Sequence, residues 1–268
     1  MSTTSELLLS TRQFTLALQE YSDFSLSSPL ARLSYRGANL FPSRNPINDE
    51  LLYLSDKQGT QSLYMRQAAR EQAIYHAKAG EHLNGLAWSL DGQRFAYISN
   101  ETLTIVDGQG MSRSITLTHP VYLRGWTQDT NKLLVNELSN GHPIPAILNI
   151  TSGAVTRLTD QPASCAVPDQ HGRIYYTRGK RLFRYIDGTE LEIKTLRKGE
   201  YDDLFVSPHY LYASVSTAQG YWLYRYSLSD LTIQTQFLGE RMAAGVDHQD
   251  RVWLYEQPSM RQQLMTLK

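Results

Sequence analysis

A chain of 268 residues with 26 basic against 26 acidic side chains has no net charge at neutral pH, which argues against direct binding of nucleic acid or of an anionic membrane surface. Its single cysteine excludes an internal disulfide, and no stretch approaches the roughly 18 consecutive apolar residues that a spanning helix requires. The length suits one large all-β domain or two smaller ones, and the first residues lack the basic start and apolar core of a signal peptide.

In chain order, residues 1–28 are the least regular part. One strand is expected where Phe14, Leu16 and Leu18 alternate with Thr15, Ala17 and Gln19, followed by a serine-rich connector. A short strand, Leu30 to Ser34, comes next. The most regular stretch is Gly85 to Asp107: an aromatic-hydroxyl step at Trp88-Ser89, an Asp91-Gly92 turn, an alternating strand from Phe95 to Ser99, and a β-branched strand from Thr102 to Val106. It reads as an antiparallel meander.

The same unit recurs along the chain. Residues taken as matching Trp88 are Phe41, Trp126, Val167, Val206 and Val246, which gives six units separated by 47, 38, 41, 39 and 40 residues. A strong second strand follows each (Leu51 to Ser55, Phe95 to Ser99, Leu133 to Glu137, Ile174 to Thr177, Leu211 to Val215, Val252 to Tyr255). A third strand follows in all six and a fourth in the first five.

A period near 40 residues with four short strands implies an all-β, six-bladed β-propeller of four-stranded antiparallel blades, because one such sheet cannot bury both faces without a neighbour. In the sixth unit Gln263 to Leu267 reads as the third strand, and Leu30 to Ser34 supplies the missing fourth, so that an N-terminal strand closes the last blade. The expected organisation is an N-terminal strand and linker over 1–28 and a single propeller over 29–268, with deletion of 29–36 costing far more stability than deletion of 1–20.

No nucleophile elbow, HExxH, CxxC or glycine-rich phosphate loop is present, and Gly108-Gln109-Gly110 reads as a hairpin turn. The expectation is therefore no catalytic centre, no cofactor and no metal. Cys165 lies in an apolar strand and reads as a buried, inert thiol. Topology puts His82, His119 and His142 on one rim, since interblade loops and second-to-third-strand turns share that side. The stretch Asn140 to Pro145 reads as a proline-stiffened rim loop presenting Ile144, and the interblade loop Lys198 to Asp203 presents Tyr201. These five residues are the candidate binding positions. The alternating Trp222, Tyr224 and Tyr226 read as packing between blades.

The pattern from Trp88 to Ser99, aromatic-Ser-x-Asp-Gly-x-Arg-apolar-Ala-aromatic-x-Ser, resembles the repeat of TolB-type propellers, also called WD40-like PD40 repeats; Leu51 to Asp56 with Leu63-Tyr64 resembles it one blade earlier. The resemblance is specific over about 60 residues and extends as spacing over roughly 30–268. It implies a non-enzymatic binding or sensing propeller, exported or periplasmic, similar to the sensor portion of CadC- and ToxR-like membrane-anchored transcriptional regulators. In those proteins a winged-helix domain and one transmembrane helix precede the sensor. The implied partner is another protein, a peptide or a small envelope ligand. The alternatives are a propeller hydrolase, lyase or cyclase with a channel site, and a TolB-like envelope scaffold.

Overall fold

The structure is a computed structural model that describes the backbone of residues 7–267 and the side chains of 14–259. The chain enters through β1 (Leu7–Leu16), β2 (Leu18–Tyr21) and β3 (Pro29–Leu33). Five complete blades follow. They are β4 (Gly37–Arg44), β5 (Leu51–Ser55), β6 (Ser62–Gln67) and β7 (Arg70–His76); β8 (Leu83–Trp88), β9 (Arg94–Ser99), β10 (Thr102–Asp107) and β11 (Ser112–Thr116); β12 (Val121–Trp126), β13 (Lys132–Ser139), β14 (His142–Asn149) and β15 (Val155–Arg157); β16 (Ser164–Pro168), β17 (Ile174–Arg178), β18 (Arg181–Ile186) and β19 (Thr189–Thr195); and β20 (Glu200–Val206), β21 (Tyr210–Thr217), β22 (Gly220–Ser227) and β23 (Ile233–Gly239). The chain ends with β24 (Met242–Val246), β25 (Val252–Tyr255) and β26 (Ser259–Leu267). No helix occurs among the described residues.

The ring has six four-stranded blades and is closed by N-terminal strands, as the period implies, but closure uses two of them. The sixth sheet runs β24-β25-β2-β3, with Leu18 opposite Tyr255 on one side and Leu33 on the other. The third strand of this blade is therefore Leu18–Tyr21 and not Gln263 to Leu267. The latter belongs to β26, which pairs antiparallel with β1 and, through two parallel pairs of β1 with β4, extends the first blade to six strands. The ring thus begins at Leu18, inside the segment read as linker. The reason is burial: Leu18 and Leu33 are sealed against Tyr53 and Trp253 in one cluster, whereas Phe14 is 43% exposed.

Two matches in the repeat also move. Trp88 pairs with Phe95, and the same place is held by Arg44 opposite Leu51 and by Pro168 opposite Ile174, in place of Phe41 and Val167. The first interval becomes 44 residues, so the outlying 47 was a three-residue slip of register. The true repeat is a turn: Asn45, Asp91, Asp129, Asp169 and Asp247 each accept a backbone N–H two residues on through a side-chain oxygen.

Every innermost strand carries a bulge at nearly the same height, between Leu40 and Ser43, Leu83 and Leu86, Leu123 and Gly125, Ser164 and Val167, Tyr201 and Asp203, and Ala243 and Gly245. A bulge sets one or more residues outside the ladder and re-aims their side chains. Six of them in a ring define the lining of the central channel.

Candidate functional site

The innermost strands are kept close by small residues. A Cβ on Gly85, at φ +74°, would stand 2.9 Å from the Leu123 carbonyl oxygen, and one on Gly245 would stand 3.2 Å from that of Pro42. What remains between the strands is a channel cavity of about 250 Å³, lined by residues of all six blades. Its walls are mostly apolar, with Phe41, Trp88, Leu90, Leu123 and Phe205 among them. At the rim of the first-to-second-strand turns it continues into a mouth bordered by Pro42, Pro168, Pro208 and Leu90.

One ion pair interrupts this apolar wall. Arg124 is the bulged residue of β12, and Asp203 follows the bulge of β20, so the third and fifth blades aim opposite charges over the fourth between them. Arg124 Nη2 donates to Asp203 Oδ1 at 2.5 Å and its Nε donates to the Ala166 carbonyl at 2.8 Å. Asp203 Oδ1 also accepts the Leu204 N–H at 2.9 Å. Burial opposes the guanidinium charge, but the Asp203 carboxylate outweighs it and holds the Arg124 pKa above its ordinary value.

Blade 1 lies opposite blade 4 in a ring of six, and it presents Phe41. This residue sits in the β4 bulge at φ +52° and is 42% exposed, unusual for a bulky side chain. The channel therefore has an aromatic ring on one side and a neutralised ion pair on the other. Tyr255 of the sixth blade accepts the Phe41 N–H at 3.5 Å, and burial, with a smaller contribution from the Asp203 charge, pushes its phenol up to about 12.

Cys165, also in a bulge, at φ +50°, is the buried thiol expected from the sequence: its Sγ donates to the Asp202 carbonyl at 2.9 Å, and burial followed by the Asp203 charge pushes it up to about 11. The thiolate, which is the nucleophile, is thus scarce at neutral pH.

The five candidate residues fare differently. His82 and His119 are exposed in the β7–β8 and β11–β12 connections, and His142 is exposed at the β13–β14 turn. His82 is fixed through its backbone, which exchanges hydrogen bonds with Asn100, and it borders a cleft of about 420 Å³ between the first two blades, with Asp56, Gln61 and Lys78. His119 lies near Glu137, whose carboxylate is already held by Arg157. Among the described residues no three His, Cys, Asp or Glu side chains converge as metal ligands would.

Ile144 is not a rim residue. Pro143, Ile144 and Pro145 lie within β14, paired with β13, and Ile144 is only 4% exposed, because the connection is a two-residue turn at Asn140-Gly141. Tyr201 is likewise buried, in β20, with its hydroxyl 3.2 Å from that of Tyr226. Trp222, Tyr224 and Tyr226 do pack in the cluster shared by the fourth and fifth blades. The sequence points to Asp203 only as the end of the Lys198–Asp203 loop, and not to Arg124. For Arg124 the available signal was a single charge inside a strand otherwise made of apolar and aromatic residues and glycine; Asp203 had no such signal, because β20 also carries Glu200 and Asp202.

No family model and no curated protein matches the sequence. Solved structures do match in fold. TolB from Acinetobacter baumannii superposes with a TM-score of 0.65 at 15% identity, over 93% of this chain and 66% of that one, so the chain spans about two thirds of its length. A TolB homologue from Agrobacterium tumefaciens gives 0.65 at 15% identity, over 92% and 99% of the two chains. A gluconolactonase from Xanthomonas campestris gives 0.57 at 16% identity, over 88% and 94%. At these identities the likeness is one of architecture, and the architecture is that of a TolB-like six-bladed β-propeller.

Proposed function

We propose that this propeller is a non-enzymatic binding or sensing domain whose ligand enters the central channel. The observation that carries the reading is the lining: a cavity walled largely by apolar side chains but with substantial polar surface, in which the one ion pair is already neutralised and hydrogen-bonded. Such a wall favours the fit of an apolar group with one polar anchor, which is how ligand sites combine affinity with orientation. It offers little for proton transfer, since Arg124 stays charged and Cys165 stays protonated at neutral pH.

The TolB-type repeat at Trp88–Ser99 and the TolB-like fold support placing the domain outside the cytoplasm, as the exported part of a membrane-anchored transcriptional regulator or an envelope protein. The second reading is enzymatic and is favoured by the likeness of fold to a gluconolactonase. Elemental analysis of purified protein and a thermal-shift screen against cations, lactones, amino acids and envelope fragments separate the two. The binding reading expects a shift with an organic ligand and no turnover. Stoichiometric metal, or hydrolysis of a lactone, overturns it.

A further inference from the structure

The channel specifies more than an apolar fit. Among the described residues Arg124 uses Nη2 for Asp203 and Nε for the Ala166 carbonyl, which leaves the Nη1 donors for the cavity. Asp203 receives its hydrogen bonds among the described residues, from Arg124 and from the Leu204 N–H, on Oδ1 alone. Oδ2 is thus the free acceptor beside the free donor. Both side chains are partly exposed, at 20% and 37%, and both line the cavity.

A donor with positive charge next to an acceptor with negative charge matches a small molecule carrying a carboxylate and an ammonium on one carbon. Arg124 takes the carboxylate and Asp203 the ammonium, and the ligand adds no net charge to a site that is already neutral. A simple anion meets the repulsion of Asp203, and a simple cation that of Arg124. Opposite the pair, two blades from each of its members, stands the exposed ring of Phe41. A cavity of about 250 Å³ holds one amino acid and excludes a folded segment. We infer that the channel binds a free α-amino acid with an apolar or aromatic side chain, its two charged groups on Arg124 and Asp203 and its side chain against Phe41. This rests on the reading of the channel as the binding site.

The test is calorimetric titration of the full chain with L-phenylalanine, 3-phenylpropionate, phenethylamine and N-acetylphenylalaninamide, with tryptophan fluorescence as a second signal because Trp88 and Trp126 line the cavity. Saturable binding of L-phenylalanine is expected, with each of the other three at least about tenfold weaker, since each lacks one charge or both. Arg124→Gln and Asp203→Asn should abolish it. Phe41→Gly, which suits the left-handed backbone at that position, should weaken binding without lowering the melting temperature. Equal binding of a singly charged or uncharged analogue overturns the amino-acid inference and leaves channel binding standing. Binding unaffected by any of the three substitutions overturns both, and absence of binding by all four compounds overturns the inference. If the charge variants fail to fold, the analogue series on the unaltered chain decides.

Discussion

Phe41 shows how one residue changes meaning between sequence and structure. Its place before a polar turn suggests a copy of Trp88, yet the bulge puts Arg44 there and turns Phe41 into the channel. Ionisable side chains change meaning in the same way. Lys57 lies 3.9 Å over the ring of Tyr35 and 3.8 Å over that of Tyr64, and pairs with Glu71, so a charge from a turn is absorbed by an aromatic cage. Glu137 is held below its ordinary 4.5 by hydrogen bonds from Arg157, and Glu190 by those from Arg178. A depressed carboxylate contributes stability that is complete above its unfolded value and is lost as pH falls through its folded one. Asp202, raised by burial, acts in the opposite sense and offsets part of the loss. The urea midpoint should therefore be level from pH ~7 to ~5 and fall below about pH 4.5. An unchanged midpoint at about pH 3 would show that these pairs add nothing.

At the level of strands, closure decides which deletions are tolerated. β2 is the third strand of the sixth blade and pairs on both sides, so removing residues 1–21 should be as damaging as removing 29–36. Removing 1–13 leaves the sixth sheet whole. Thermal unfolding of the three truncations should give two low melting temperatures and one near that of the full chain; equal losses in all three would contradict this closure. The sequence expectation that deleting 29–36 costs far more than deleting 1–20 is replaced by near-equal losses for a physical reason: Leu18 and Tyr21 are sealed between sheets, at 0% and 5% exposure. Alternation within Phe14 to Leu18 could not show that only its end enters the ring.

Across the whole molecule the two ends of the chain are joined by buried charge as well as by backbone pairing. Glu20 of β2 accepts hydrogen bonds from Arg44 of β4 at 2.8 and 2.7 Å, and Arg251 pairs with Asp247 at 2.5 Å and with Asp49. The network links the sixth blade to the first, with Glu20 only 2% exposed. Glu20→Ala leaves Arg44 buried beside one partner fewer and should cost ~3–5 kcal/mol in urea unfolding, lowering the transition of the whole ring. A loss below about 1 kcal/mol would make the network incidental.

The amino-acid sequence by itself determined the period, the six blades and the polar turns, because each rests on local chemistry: alternation of side chains, asparagine and aspartate turns, and β-branched strands. Local pattern also identified Cys165 as a buried thiol. Tertiary structure alone decided which N-terminal strands close the ring, that Ile144 and Tyr201 lie inside it, and that Arg124 meets Asp203 across an intervening blade. These depend on residues far apart in the chain, and on bulges that shift a strand by one residue and so exchange inside for outside.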